Sequence, residues 1–142
     1  MPRRSRAREV VLQLLYQHDQ NPGLQLEEAR AFLMRRLQDA ELAAWAEELY
    51  QGTIHHRAAI DERLSKTAEN WSVQRMAVVD RNLLRLGVYE MTIQGQTPPR
   101  VVIDEAVELA KRYGTAESPA FVNGILDRLA PKPEPAPSAA AD

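Results

Sequence analysis

The sequence predicts an all-α fold of about seven helices, and three observations carry that expectation. Apolar residues recur at i, i+3, i+4 and i+7 through each long periodic segment. No segment with strand period survives a pass along the chain. Breakers at Asn21-Pro22-Gly23, Pro98-Pro99 and Pro131 leave short connections between the periodic runs. Helices with short connections pack on one another around one core. The chain has 142 residues, which suits one domain with a modest core. Aromatic residues make up only 6%, so Leu, Val, Ile and Ala must build most of that core.

The elements follow in order. Ala7, Val10, Val11, Leu14 and Leu15 lie on one face of a helix that runs to about Gln20. A second helix is expected from about Leu26 to Asp39, with Ala29, Phe32, Leu33 and Leu37 inward. A third is expected as one long element from about Leu42 to Leu64, about 30 Å in length, kinked or closely packed at Gly52. Trp71-Ser72 opens the next part, with Ser72 as an N-cap and a short helical turn before Met76–Met91. That stretch is mostly apolar, so burial on more than one side is expected. Val102, Ala106, Leu109, Ala110 and Tyr113 give VVIDEAVELAKRYG helical spacing, starting between Arg100 and Asp104 and ending with Gly114 at C′. Ser118 as cap and Pro119 in the first turn open the last helix, whose apolar face is Phe121, Val122, Ile125, Leu126 and Leu129. Residues 132–142 alternate Pro with polar and small residues and are expected to form a disordered tail after a domain at 1–131.

Composition removes several functions. With no cysteine there is no disulfide, thiolate metal site, iron–sulfur cluster or cysteine nucleophile. The run VVLQLL is too short for a signal peptide and is interrupted by Gln13. No stretch approaches the roughly 18 apolar residues of a membrane span, and a cytoplasmic protein without membrane contact is expected. Adjacent His55 and His56 point about 100° apart on a helix and make a poor metal pair, so no metal and no cofactor are expected. Asp104, Glu105 and Glu108 lie at helical spacing, as on a solvated face. There is no phosphate-binding glycine loop and no nucleophile elbow. No catalytic residue is assigned, and the chain is read as not an enzyme.

What remains is the stretch RRSRAREVVLQLLYQ. The first eight residues carry four arginines and no acid, whereas the other 134 carry 14 basic and 20 acidic groups. Cations at a helix N-terminus oppose the helix dipole, so helix stability alone does not account for them. A frayed, solvated terminus would have the same composition. Two features point instead to an anionic partner. The cluster abuts a helix without a linker, so its charges are held in place. Gln13 and Tyr16 follow Ser5, Arg6 and Arg8 along the helix, and Tyr113 and Phe121 flank the turn GTAESPAF. If packing brings that turn beside the N-terminus, cations that hold phosphates adjoin rings that stack on unpaired bases. For Phe121 alone, core packing is the plainer expectation.

Together these segments resemble the NusB family of bacterial transcription antitermination factors. The resemblance rests on RRSRAREVVLQLLYQ near the start, WSVQRM and DRNLLRLGVYEM in the middle, and VIDEAVELAKRYG followed by FVNGILD. None is specific alone; in family order and spacing they cover the chain to about Ala130. The resemblance implies N-terminal and C-terminal helical bundles packed together and no catalysis. It implies binding of boxA-type single-stranded RNA in nascent ribosomal RNA transcripts, jointly with NusE, a small-subunit ribosomal protein. Other Nus factors and RNA polymerase complete the implied antitermination complex. Carried onto this chain, it places RNA contacts at Arg3, Arg4, Arg6, Arg8 and Tyr16, and at Tyr113, Gly114, Glu117 and Ser118 with Phe121 and Asn123 beyond. It associates Arg81, Arg85, Tyr89 and Glu90 with the NusE-type partner. Monomer and homodimer both stay open, because some family members pair through surfaces that overlap the RNA site.

The chain departs from the family pattern at Pro119, where many relatives carry a polar residue, and in the Pro/Ala-rich tail, which has no assigned role. Two other readings stay open at this point. One is a helical protein–protein adaptor whose arginines are idle. The other is an RNA-binding domain of the kind fused to RNA cytosine methyltransferases, which would require a longer chain.

Overall fold

The computed structural model describes residues 3–68 and 72–132. Among them the chain forms seven α-helices and no strand. They are α1 (Arg3–Gln20), α2 (Leu26–Leu37), α3 (Ala40–His55), α4 (Arg57–Thr67), α5 (Val78–Val88), α6 (Pro99–Tyr113) and α7 (Ser118–Leu129). A 3₁₀ turn, Val73–Arg75, precedes α5, and a π-helical turn, Tyr89–Gln94, follows it. Trp71 and residues 133–142, which make up almost all of the expected tail, lie outside the described residues.

Helix α1 packs on α2, α3 and α5, while α5, α6 and α7 pack on one another. This gives an N-terminal and a C-terminal group of helices joined across the α1–α5 contact. One apolar core runs through both. Leu14, Leu33, Leu49, Leu64, Leu84, Ile103 and Leu126 are each almost wholly buried. Each such side chain contributes on the order of 1.5–3 kcal/mol.

Several local expectations are corrected. The long third helix is two: the chain breaks at His56 (φ −97°, ψ 10°), between α3 and α4. Gly52 does not kink the chain. Its missing side chain makes room for Tyr89, whose Cζ lies only 2.0 Å from where a Cβ would stand. Gly114 does not take the left-handed C′ conformation but is extended (φ −94°, ψ −166°). A Cβ there would fall 2.4 Å from Ser118 Oγ and 2.8 Å from the Ala110 carbonyl, so close approach is what excludes a side chain. Ser118 is not the N-cap of α7. It is the first helical residue, and its Oγ accepts from the Thr115 amide at 2.9 Å. Ser72 likewise caps its turn through its carbonyl, which accepts from the Arg75 amide, and not through its side chain.

Candidate nucleic-acid interface

No acid occurs in the first turn of α1. The compensation comes from other elements. Arg3 pairs with Asp39, the N-cap of α3, whose Oδ1 also accepts from the Leu42 amide at 2.9 Å. The Leu42 amide, together with Arg3, holds the Asp39 carboxyl below its ordinary range. Ser5 donates to Glu105 on α6. The Arg4 guanidinium lies over the Trp45 ring of α3, 4.6 Å from its centroid, a cation–π contact. Arg3 and Arg4 remain exposed, and Arg6 is half-buried.

Arg8 does not belong to this surface, and the expectation that it contacts RNA is corrected. It is buried at 4% exposure. Its Nε donates to Glu90 Oε1 at 2.9 Å, its Nη2 pairs with Glu90 Oε2, and its Nη1 lies 3.4 Å from Glu105. The other side of Trp45's cationic environment is this same Arg8, 5.1 Å from the ring centroid. Its donors are spent on internal carboxylates, so it fixes α1 to the turn after α5.

Glu9 joins the N-terminal cations to the α6 corner. It is buried, and three donors meet on it: Arg6 at 2.5 Å, Arg112 at 2.6 Å and the Tyr113 hydroxyl. Burial alone would raise its carboxyl; the hydrogen bonds from Tyr113, Arg6 and Arg112 override that and hold it at about 2. Donating that same bond to Glu9 pushes the Tyr113 hydroxyl upward. Two guanidiniums therefore share one carboxylate, a local excess of one positive charge.

Beside Glu9 lies an open groove of about 450 Å³ between α1 and α2, to which α5 adds Val79 and α6 adds Tyr113. Leu12, Gln13, Tyr16, Phe32, Arg36 and Tyr113 line it. Tyr16 and Tyr113 are exposed. Gln13, Tyr16 and Tyr113 thus come together on one groove. In the turn before α7, Glu117 is exposed and takes a hydrogen bond from the Thr115 hydroxyl at 3.2 Å. Asn123 is exposed on α7, whereas Phe121 is partly buried against the core and Ser118 is fully buried. Ser118 and Gly114 shape this turn by packing on each other, and Ser118 is corrected from an RNA contact to a residue inside the turn.

The residues associated with a protein partner are mostly interior. Arg85 is buried between Asp61, at 2.8 and 2.9 Å, and Asp19, at 3.4 Å. Tyr89 is buried and donates to Glu48 at 2.9 Å; burial and that carboxylate push its hydroxyl up to about 12. Glu90 is the partner of Arg8. Arg81 keeps a solvent edge but also binds Asp19. Arg85, Tyr89 and Glu90 therefore hold helices together and offer no docking face.

Sequence reasoning missed Glu9, Phe32, Arg36, Trp45 and Arg112. Glu9 at i+3 from Arg6 and Arg36 at i+4 from Phe32 were the local signals; Trp45 and Arg112 meet the site only through tertiary packing. Among the described residues no cluster of three metal-ligating side chains occurs, and no helix is long and apolar enough to cross a membrane.

These features define an all-helical two-bundle domain with a cationic, ring-bearing edge. The NusB family model matches residues 5–131. The transcription antitermination protein NusB of Sorangium cellulosum is 45% identical over 130 residues, covering 92% of this chain and 93% of that protein. The solved structure of T. maritima NusB superposes with a TM-score of 0.81 at 40% identity, covering 95% of this chain and 94% of the other. A crystal structure of antitermination factors NusB and NusE in complex with dsRNA gives a TM-score of 0.81 at 28% identity, covering 91% and 96%. The chain belongs to the NusB family.

Proposed function

We propose that this chain is a non-catalytic transcription antitermination factor of the cytoplasm. Residues 1–131 form its RNA-binding domain. Its cationic edge binds boxA-type single-stranded RNA of nascent ribosomal RNA transcripts, together with a NusE-type ribosomal protein and, through that assembly, other Nus factors and RNA polymerase. Arg3, Arg4 and Arg6 hold phosphates, Tyr16 and Tyr113 receive bases, and Gln13, Gly114, Glu117, Phe121 and Asn123 border the path.

The observation that carries this reading is the shared carboxylate of Glu9, which ties Arg6 at the start of α1 to Tyr113 at the end of α6. Glu9 and Tyr113, 104 positions apart, thereby join cations and rings in one surface, the combination that single-stranded RNA requires. A likeness to a NusB–NusE complex that holds double-stranded RNA supports an RNA partner and makes strandedness the feature to test.

The experiment is fluorescence anisotropy with a boxA-type single strand, a scrambled single strand and a duplex of the same sequence, each with and without NusE. Tighter binding of the boxA strand, strengthened by NusE through high local concentration, is the expected result. Equal weak binding of all three RNAs, with NusE still bound and Arg4→Ala/Arg6→Ala without effect, would identify a protein adaptor instead.

A further inference from the structure

In the groove between α1 and α2, Gln13, which borders the path proposed above, meets Arg36, to which the reading above gives no role. Gln13 Oε1 accepts from Arg36 Nη1 at 3.1 Å. A guanidinium has donors only, so this contact fixes the amide: its oxygen faces Arg36 and its –NH₂ is turned toward other partners. The Arg36 guanidinium also lies over Phe32, 4.8 Å from the ring centroid. Ring and amide hold this cation in place, and among the described residues no carboxylate pairs with it. It sits in the last turn of α2, where the helix dipole favours a cation. Unlike Arg3, Arg6 and Arg8, Arg36 keeps its charge uncompensated.

The surroundings narrow the occupant. Tyr16 and Tyr113 offer exposed ring faces to the groove, and Leu12 supplies apolar wall. About 450 Å³ lies within the range of small-ligand sites and accommodates one nucleotide. The groove continues from the Glu9 hub, because Tyr113 belongs to both. A strand whose phosphates meet Arg6 and Arg112 therefore has this groove within reach of its next base.

We propose that the groove seats one unpaired RNA base and that Gln13 and Arg36 together read its carbonyl edge. The inference rests on the RNA-binding reading and deepens it by naming a base-specific subsite. Amide and guanidinium donors match the oxygen acceptors of uracil, guanine and cytosine. Adenine has no carbonyl, only ring-nitrogen acceptors beside an exocyclic amino donor; because Arg36 already occupies the Gln13 oxygen, no amide acceptor meets that amino group and adenine is disfavoured.

The test uses the full chain with a boxA-type single strand and a set of strands in which each position in turn is replaced by adenosine. Wild type should show one position whose replacement weakens binding about 10-fold, within the range of a lost bidentate base contact. Arg36→Ala should weaken the parent strand by a similar factor and abolish that positional preference, with an unchanged melting temperature. Arg36→Lys should retain charge-dependent affinity and still lose the preference. A strand carrying 5-bromouridine at that position should photocross-link to Tyr16 or Tyr113. If Arg36→Ala binds like wild type while Arg6→Ala is weakened, the subsite is rejected and the RNA edge stands. If Arg36→Ala weakens all strands equally, Arg36 is a phosphate contact only and base reading is rejected. If neither variant alters binding, or wild type binds no RNA even with NusE, the edge and the subsite fall together.

Discussion

Arg8 and Glu90 form a buried ion pair that spans 82 positions of sequence, with Nε 2.9 Å from Oε1 and each residue at most 4% exposed. The pair explains an arginine in a basic run that never reaches the surface. It locks α1 to the π-helical turn, a distortion that an uninterrupted helix would not adopt. Removing one partner leaves the other charged and dry. Arg8→Met is therefore expected to destabilise the fold by about 3–5 kcal/mol in urea unfolding. Arg8→Met with Glu90→Met should recover much of that loss, since two apolar side chains replace a desolvated pair. A double variant as unstable as the sum of the singles would refute the coupling.

Two helical glycines should respond in opposite directions to alanine. Gly52 faces the Tyr89 ring so closely that a methyl group must displace it and break its bond to Glu48. Gly52→Ala should cost about 1–3 kcal/mol or more, as overpacked cores do. Gly124 lies within α7 with nothing within 4 Å of where a Cβ would stand. Gly124→Ala should raise stability by about 0.5–1 kcal/mol, the helix-propensity difference. Paired thermal melts check both signs.

The helices were legible because apolar spacing is local, and the site was legible only where its signals were local too. Exposed rings at Tyr16 and Tyr113 followed from motif position, and the structure sets them on one groove. Arg8 was misread by composition, although Arg8, Leu12 and Leu15 stand at i, i+4 and i+7, a spacing that places all three on a buried stripe. The middle motif carried a similar warning. A segment expected to be buried on several sides has little surface to offer a partner, and Arg85 and Glu90 within it are indeed matched internally. The break at His56 has no proline or glycine at the junction, so no sequence signal announced it. Arg36 joins the site through the packing of the consecutive helices α1 and α2, and Arg112 through the packing of α6 against α1, 103 positions away; periodicity encodes neither contact.

The Glu9 hub makes acid stability titratable. Its carboxyl is held at about 2 in the fold against an ordinary value of 4.5. A depressed carboxyl stabilises the fold fully above its unfolded value and progressively less as pH falls from 4.5 toward 2. The difference corresponds to at most about 3 kcal/mol, reduced by the exposure of Arg6 and Arg112. Glu9→Gln removes this contribution. The stability gap between wild type and Glu9→Gln should be widest at neutral pH and shrink steadily below 4.5. A gap independent of pH in urea titrations at pH 7, 4 and 3 would contradict the assignment.

Salt dependence separates surface cations from the buried one. Three arginine–phosphate contacts on a single strand predict a slope of log affinity against log salt of roughly −2. Arg3, Arg4 and Arg6 are accessible for such contacts, and Arg8 is not. Arg6→Ala should make the slope shallower by about 0.7. Arg8→Lys should leave the slope unchanged in whatever fraction folds. Anisotropy titrations from 50 to 300 mM salt measure both, and a shallower slope for Arg8→Lys would return that residue to the interface.

Glu117 lies in the exposed turn between α6 and α7, three residues past Gly114 and close in sequence to Tyr113. Its carboxylate takes one hydrogen bond, from Thr115, and among the described residues no cation pairs with it. Phosphates drawn to Arg6 and Arg112 would feel its charge without screening by a bound partner. Neutralising it removes a repulsion that is worth on the order of 0.5–1 kcal/mol at a few ångströms near a wet surface. Glu117→Gln keeps the size and the Thr115 contact, so the turn should hold its shape. Binding of a boxA-type strand should tighten about 2- to 5-fold at low salt and converge with wild type above about 300 mM, where screening is strong. Filter binding at both salt levels decides the matter: equal or weaker affinity at low salt would mean that the RNA path does not pass this turn.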